Sequence, residues 1–181
     1  MDANKKKHCI IFFILGIVFI VVSFTSYNYG KNVVIKDLVK SGDIYINKKE
    51  YAKAIAVYKE VVKYNNADSD KYMLNLAESM NNSKKSYING MKYYNKKEYL
   101  KAIECFRQVM ENDPIAFNKA QEKIKECKEK YIQDNLNKAR EAMYNFKYEE
   151  ANECLNNIFK VDKNIEEAKK MRNALNKKNS N

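Results

Sequence analysis

The sequence predicts an all-α protein in which one N-terminal transmembrane helix precedes a short α-solenoid of elongated helices. Three observations predict this class. Pro occurs once and Gly four times in 181 residues, so the turn residues that an all-β fold needs are missing. Apolar residues recur at every third or fourth position along most of the chain, which is the period of amphipathic helices. An apolar run near the N-terminus is long enough to cross a bilayer.

The apolar run begins at Cys9 and continues to Phe24, interrupted only by Gly16 and Ser23, and then fades toward Tyr29. A helix over residues 9–29 is ~31 Å long at about 1.5 Å per residue, which matches a hydrocarbon core of roughly 30 Å. Each Ile, Leu, Val or Phe in it favours insertion by about 0.3 to 0.6 kcal/mol. We therefore predict a transmembrane helix at residues 9–29.

A cleaved signal peptide is the alternative interpretation of this run. Its apolar region would normally be about 7 to 15 residues long and would precede a small-x-small cleavage site. The run is at or beyond that limit, and Ser23–Thr25 makes a poor site, so we favour an uncleaved signal anchor. Three lysines, Lys5–Lys7, precede the span. The positive-inside rule then places residues 1–8 in the cytoplasm and the remaining chain outside the cell membrane.

The chain also contains an internal repeat, which is the most informative feature of the sequence. Asn47–Ile55 reappears as Asn95–Ile103 with eight of nine positions identical, and a weaker third copy runs over Phe146–Ala151. The alanines at one fixed position of the copies are 48 and 49 residues apart: Ala54, Ala102 and Ala151. A period of this length predicts stacked helical pairs.

The residues around each copy resemble the tetratricopeptide repeat. The first copy carries the resemblance at Gly42, Tyr45, Ala54 and Tyr58, the second at Gly90, Tyr93, Ala102, Phe106 and Pro114, and the third at Ala139, Ala142, Ala151 and Leu155. The resemblance implies antiparallel helix pairs at about residues 35–68, 83–116 and 132–165. Small residues let the two helices of each pair approach closely, and the aromatic residues fill the space between them.

The period is about fourteen residues longer than the family's usual 34. The extra segments, residues 68–82 and 117–131, have helical spacing, so we predict that each one lengthens the first helix of the following unit. One such helix would start near Pro114 and end near Asn145, because Pro is tolerated in a first turn.

In the first unit the transmembrane helix takes the place of the insertion, and we predict that it continues past Gly30. The repeat domain then spans residues 31–165, and a capping helix and tail follow at 166–181.

No motif predicts catalysis, a metal or a cofactor. The only histidine, His8, lies beside the span and has no partner ligands in the sequence. The four cysteines lack the spacing of a zinc site. Cys105 and Cys154 stand three residues after the repeat alanine, which favours buried apolar side chains, whereas a disulfide among Cys105, Cys127 and Cys154 stays an alternative. No phosphate-binding loop or nucleophile elbow occurs, so we predict that the chain is not an enzyme.

The formal net charge is +11, but Lys is interleaved with Glu, as at residues 121–130. This pattern favours solvated helix faces over a nucleic-acid-binding stripe. The family resemblance implies instead a concave face, lined by the first helices, that binds a protein or peptide. Carried over by position, that face comprises Lys84, Tyr87, Met91, Tyr94, Asn95, Gln133, Leu136, Arg140 and Tyr144. The alternative is that some of these tyrosines pack within the domain.

The sequence thus predicts a single-pass, membrane-anchored scaffold for protein–protein interaction, similar to bacterial anchored tetratricopeptide proteins of the cell envelope. Its partner would be another protein or a second copy of the chain, since three imperfect units leave the ends of a solenoid uncovered. The alternative is a basic structural domain that binds anionic lipid or wall polymer without a defined protein partner.

Overall fold

The computed structural model describes residues 3–179, with side chains described for 11–178, so Lys5–Lys7, His8 and Cys9 lie outside the described side chains. The described residues form helices joined by short turns and contain no strand. The helices are α1 (Ala3–Asn47), α2 (Tyr51–Tyr64), α3 (Asp68–Asn95), α4 (Tyr99–Arg107), α5 (Pro114–Tyr144), α6 (Tyr148–Val161) and α7 (Glu166–Asn179). The predicted all-α class with elongated helices is confirmed. The chain divides within α3, after Asn81, into two compact units.

Helix α1 joins the apolar run to the first repeat without a break. It is 45 residues long and continues through Gly30, as the sequence analysis predicts. From Ile11 to Asn47 it contains a stretch of mean hydropathy 2.1, none of which is buried. By length and composition alone, this helix is able to cross a membrane.

The first unit is held together where α1 crosses α2. Gly42 faces the ring of Tyr58 so closely that an added Cβ atom would lie 2.7 Å from Cζ of that ring. Tyr58 is fully buried with Ala54 and Val61, and its hydroxyl group donates to Oδ1 of Asp43 at 2.6 Å. Burial, and then this hydrogen bond, raises the pKa of Tyr58. The missing side chain at Gly42 is therefore what lets an entire phenol ring enter the helix interface.

The second unit repeats this arrangement with different residues. A Cβ atom added to Gly90 would lie 2.5 Å from Cε1 of Phe106, which is also fully buried. In the third helix pair, α5 and α6, the corresponding residues are Ala139 and Leu155, both fully buried in one cluster. Glycine therefore stands where the facing residue is aromatic, and alanine stands where that residue is the smaller leucine. The two positions together keep the volume between the helices nearly constant.

The other aromatic pair of the repeat lies at the edge of the core. Tyr45 and Tyr93 pack against the buried clusters but stay half-exposed. The Nζ atoms of Lys53 and Lys101 lie 5.5 and 5.7 Å from the centroids of these two rings. Tyr58 and Phe106 thus fill the space between the helices, whereas Tyr45 and Tyr93 pack at the solvent-exposed edge of that space.

The turns between paired helices share one geometry. After α3, the N–H of Glu98 donates to the carbonyl oxygen of Tyr93 at 3.0 Å, and the N–H of Lys97 donates to that of Tyr94 at 2.9 Å. This is the Schellman motif, and its two bonds recur in the turns after α1 and α5. The residues in the left-handed conformation are Lys49, Lys97 and Phe146, with φ of 57°, 61° and 61°. None of the three is glycine, the residue that adopts this conformation at the lowest cost.

The inserted segments lengthen α3 and α5, as predicted. Helix α5 begins at Pro114, and the carboxylate of Asp113 caps it by accepting from the N–H of Ala116 at 3.2 Å. The segments also contribute to the cores. The buried residues that they supply are Ala77 in the first unit and Ala120, Ile124 and Cys127 in the second. At the C-terminal end of the second unit, α7 adds Ala168 and Leu175 to the cluster of α5 and α6.

We predict that Gly90→Ala destabilises the protein. The new methyl group clashes with the ring of Phe106, and overpacking of this kind costs about 1–3 kcal/mol. Thermal unfolding of the full chain in detergent micelles, followed by circular dichroism, measures the loss. Gly30→Ala is the matched control because it also lies inside a helix but has no atom within 4 Å of the new Cβ. Adding Phe106→Leu to Gly90→Ala recreates the alanine–leucine pair of the third helix pair, α5 and α6. We expect this second change to recover part of the lost stability, and equal stability of Gly90→Ala and Gly30→Ala would contradict the nesting model.

We predict that Lys97→Gly stabilises the protein. A left-handed conformation costs a non-glycine residue roughly 1 kcal/mol, and glycine avoids this cost at the price of a more flexible unfolded chain. A rise in the free energy of unfolding of up to ~1 kcal/mol is expected. Lys96→Gly is the control, since Lys96 precedes the left-handed residue and has no positive φ to relieve. The explanation fails if Lys96→Gly gains as much stability as Lys97→Gly.

Candidate partner-binding surface

The residues that the sequence assigns to a partner-binding face all lie in the second unit. They occupy the C-terminal halves of α3 and α5, which are the first helices of their pairs. The α3 residues are Lys84, Tyr87, Met91, Tyr94 and Asn95, and the α5 residues are Gln133, Leu136, Arg140 and Tyr144. Their side chains do not form one open surface. Some belong to the core, some are tied to neighbouring helices, and a few are exposed.

Three of these residues pack inward. Leu136 is only 4% exposed and lies in the core between α5 and α6, so it offers nothing to a partner. The ring centroid of Tyr87 lies 5.5 Å from that of Phe106, and Met91 packs against the same cluster. The alternative stated above, in which tyrosines pack within the domain, describes Tyr87.

Tyr94 is tied to the inserted part of α5. Its hydroxyl group donates to the carboxylate of Glu126, and Nζ of Lys123 lies 4.4 Å from the centroid of its ring. Lys123 in turn lies 2.6 Å from Oε2 of Glu126, and Lys130 lies 3.8 Å from Oε1. The extra turns of α5 therefore cover this part of the predicted face.

Tyr94, Lys123 and Glu126 satisfy one another's hydrogen bonds and charges. The hydrogen bond from Lys123, followed by the one from Tyr94, lowers the pKa of Glu126. The hydrogen bond to Glu126 raises the pKa of both Tyr94 and Lys123. Each side chain is held in its ordinary charge state at neutral pH, which suits a structural contact rather than a proton-transfer site.

A polar strip runs along the outside of α5. Nε2 of Gln133 donates to Oδ1 of Asn137 at 3.2 Å, and Nη1 of Arg140 donates to the same oxygen at 2.6 Å. Nε of Arg140 also donates to Oε1 of Glu167 on α7 at 3.1 Å. The Arg140 side chain is 47% exposed, so it stays accessible while two hydrogen-bond partners fix its position. On α3, Lys84 and Asn95 are exposed.

The turn between α5 and α6 exposes a group of aromatic rings that we call the aromatic tip: Tyr144, Phe146 and Tyr148. Tyr144 is 83% exposed and Phe146 is 73% exposed. The centroids of Phe146 and Tyr148 are 6.3 Å apart in an edge-on arrangement, and Nζ of Lys178 lies within 6 Å of both. Tyr144, Phe146 and Lys178 line one open groove of about 590 Å³. This is the exposed aromatic surface that the second unit offers to a partner.

The aromatic tip departs from the other two turns of the same geometry. Asn47 and Asn95 stand where Tyr144 stands, and Lys49 and Lys97 stand where Phe146 stands. Tyr144 belongs to the predicted partner-binding face, whereas Phe146 is not among the predicted residues. The signal was available, because the third copy of the repeat begins with Phe where the first two have Lys.

The three described cysteines are not activated thiols. Cys105, Cys127 and Cys154 are free thiols, and burial raises the pKa of each, to about 11 for Cys127. Such thiols stay protonated at neutral pH and are poor nucleophiles. Within the described part of the chain, no group of three or more His, Cys, Asp or Glu side chains is placed to hold a metal ion.

The comparisons with known proteins agree with this geometry. Residues 38–68 and 90–115 match the family model of the tetratricopeptide repeat. Neither a curated protein nor a solved structure matches the chain. The matched segments contain the two crossings where Gly42 meets Tyr58 and Gly90 meets Phe106. The chain is therefore an all-α protein in which two helical segments are similar to tetratricopeptide repeats.

Proposed function

We propose that this protein is a membrane-anchored scaffold of the cell envelope whose tetratricopeptide domain binds a partner protein or peptide. Repeats of this family generally mediate protein–protein interaction. The observation that carries the membrane part of the proposal is the continuity of α1. One helix contains both the exposed apolar run from Ile11 to Phe24 and the glycine that receives Tyr58. The span and the first repeat are thus parts of the same structural element.

This continuity supports a retained anchor over a cleaved signal sequence. Residues 24–34 continue the helix instead of forming an extended linker between the span and the repeat. Removing the apolar run would leave α2 packed against a truncated helix. The lysines before the span favour a cytoplasmic N-terminus, with the repeats on the outer face of the membrane.

The aromatic tip is the proposed centre of partner binding. Exposed single aromatics are ordinary, but two rings that are more than 70% exposed, placed beside a third ring and a lysine, resemble the centre of a protein interface. Phe146 also holds the left-handed conformation, which costs a bulky residue about 1–2 kcal/mol, while its ring stays in solvent. A locally unfavourable backbone conformation, held by a residue whose ring is mostly exposed, is typical of a functional site. With Lys178 beside the rings, the partner would present an apolar side chain next to a carboxylate.

Ion pairing weakens the purely electrostatic alternative. Many lysines of the described chain lie within 4 Å of a carboxylate, so the positive charges of these lysines are balanced locally, and the net charge of +11 is carried by lysines and arginines outside such pairs. These pairs include Lys53 with Glu50, Lys59 with Glu78, Lys63 with Glu60, Lys71 with Asp68, Lys101 with Glu98, Lys147 with Glu150 and Lys169 with Glu166. Each exposed pair contributes little stability, but it reduces the positive potential available to an anionic polymer.

We predict that the double variant Tyr144→Asn/Phe146→Lys loses the partner while keeping its fold. Both replacements are the residues of the second turn, where Lys97 adopts the same backbone conformation. Loss of two aromatic contacts at the centre of an interface should weaken binding at least tenfold, since each such residue contributes about 1–2 kcal/mol or more. The measurement is cross-linking in the native membrane, followed by purification of the full chain and quantification of the proteins bound to it.

The matched control is Asn47→Ala/Lys49→Ala in the first turn, which should retain the partner. A band that corresponds to two copies of the chain, lost in the aromatic-tip variant, would identify the partner as a second copy. Binding to the aromatic tip should also survive a change from low to moderate salt, whereas binding to anionic polymer should collapse. Equal recovery of the bound protein by the wild type and the aromatic-tip variant would rule out this surface.

A further inference from the structure

An apolar groove lies where α2 returns to α1, immediately after the proposed span. It has a volume of about 340 Å³, and its walls come from the exit of the span and from the end of α2. The lining residues are Ser26, Tyr27, Gly30, Lys31, Val34 and Tyr64. No atom lies within 4 Å of the position that a Cβ on Gly30 would take, so the floor of the groove is open.

The packing of the first repeat places Tyr64 in this groove. Helices α1 and α2 are joined by a tight turn at Lys48–Glu50 and nest where Tyr58 meets Gly42. The six residues from Tyr58 to Tyr64 extend about 9 Å at 1.5 Å per residue, back along α1 toward the span. Tyr64 therefore lies beside Val34, and the first helix pair begins directly at the membrane exit.

The level of the groove matches the head-group layer of a bilayer. If the hydrocarbon core ends near Tyr29, Val34 lies five residues beyond it, about 7.5 Å along the helix. The polar layer on each side of the hydrocarbon core is about 5 to 7.5 Å thick, so Val34 lies at its outer edge. Ser26 and Tyr27 would then border the acyl chains, and Lys31 and Tyr64 would lie among the head groups.

The chemistry of the lining fits a phospholipid. Tyr27 and Tyr64 are 69% and 45% exposed, and tyrosine rings prefer the membrane interface because they combine an apolar ring with a polar hydroxyl group. Lys31 has no carboxylate partner among the described residues, so its ammonium group is available to a phosphate oxygen.

Opposite charges accompany the lysines next to the groove. Nζ of Lys63 lies 3.4 Å from Glu60, and on α1 the exposed Lys36 is followed by the exposed Asp37. We therefore expect that attraction to the groove does not require an anionic head group. The phosphate group that all glycerophospholipids share is sufficient to pair with Lys31.

We propose that this groove holds the head-group and glycerol region of a bilayer phospholipid, so that Tyr64 gives the first repeat a second contact with the membrane. The proposal rests on the proposed anchor, because the groove reaches the head-group layer only if α1 spans the bilayer. The contact would fix the direction in which the first helix pair faces the membrane surface.

Tryptophan fluorescence tests the proposal directly, because the chain contains no tryptophan. Three variants of the full chain, Tyr64→Trp, Tyr27→Trp and Tyr45→Trp, are each reconstituted into phosphatidylcholine vesicles that carry bromine near the head-group end of the acyl chains. Bromine quenches only nearby tryptophan. We expect Tyr64→Trp and Tyr27→Trp to lose most of their emission relative to unbrominated vesicles. Tyr45→Trp, which lies about 27 Å beyond Tyr27 along α1, should keep its emission.

The outcomes separate the two proposals. Quenching of Tyr27→Trp without quenching of Tyr64→Trp overturns the groove contact and leaves the anchor intact. The absence of quenching in Tyr27→Trp overturns the anchor and, with it, the groove contact. Quenching of Tyr64→Trp should also be unchanged between low and moderate salt and should not require anionic lipid. If it depends on either, a surface charge rather than the groove makes the contact, and the proposal is wrong.

Discussion

The closeness of paired helices is the constraint on which the rest of the structure depends. Tyr58 and Phe106 reach the interior of their helix pairs only because Gly42 and Gly90 have no side chain to displace. Once a ring is buried at the crossing, the register of the two helices is fixed. The short turns, the capping hydrogen bonds and the position of every outward-facing residue follow from that register. The third helix pair obeys the same constraint with different residues. Leu155 is smaller than the aromatic residues of the other pairs, and Ala139, which is larger than glycine, stands opposite it.

The inserted turns of α3 and α5 alter what such a pair can present to another molecule. In the second unit, the insertion in α5 supplies Ile124 and Cys127 to the core and brings Glu126 to Tyr94. A surface that shorter repeats would leave open is thereby filled by the chain itself. In this second unit, the large exposed aromatic rings lie instead at the turn between α5 and α6, outside the inserted region.

Much of the fold could be predicted from the sequence because its signals are local or repeated. The copies around Ala54 and Ala102 locate the helix pairs, and Pro114 marks the start of α5. The prediction of the partner-binding face was weaker because it assumed that each position has the same surroundings in every unit. Leu136 is buried by a helix face that belongs to the degenerate third pair. Tyr94 is covered by a residue 32 positions later in the chain, in a segment for which the repeat pattern gives no information.

The absence of a break at Gly30 has a mechanical consequence. From Tyr29 to Asn47, α1 is a stiff rod of about 27 Å, and membrane helices are tilted by about 20° on average. With the proposed anchor in place, a rod of this length with its pivot at the lipid surface would move its far end sideways by roughly 9 Å for such an angle. Bilayer thickness sets the tilt angle of a helix of given apolar length. A change in thickness would thus change the position of the first repeat relative to the membrane surface.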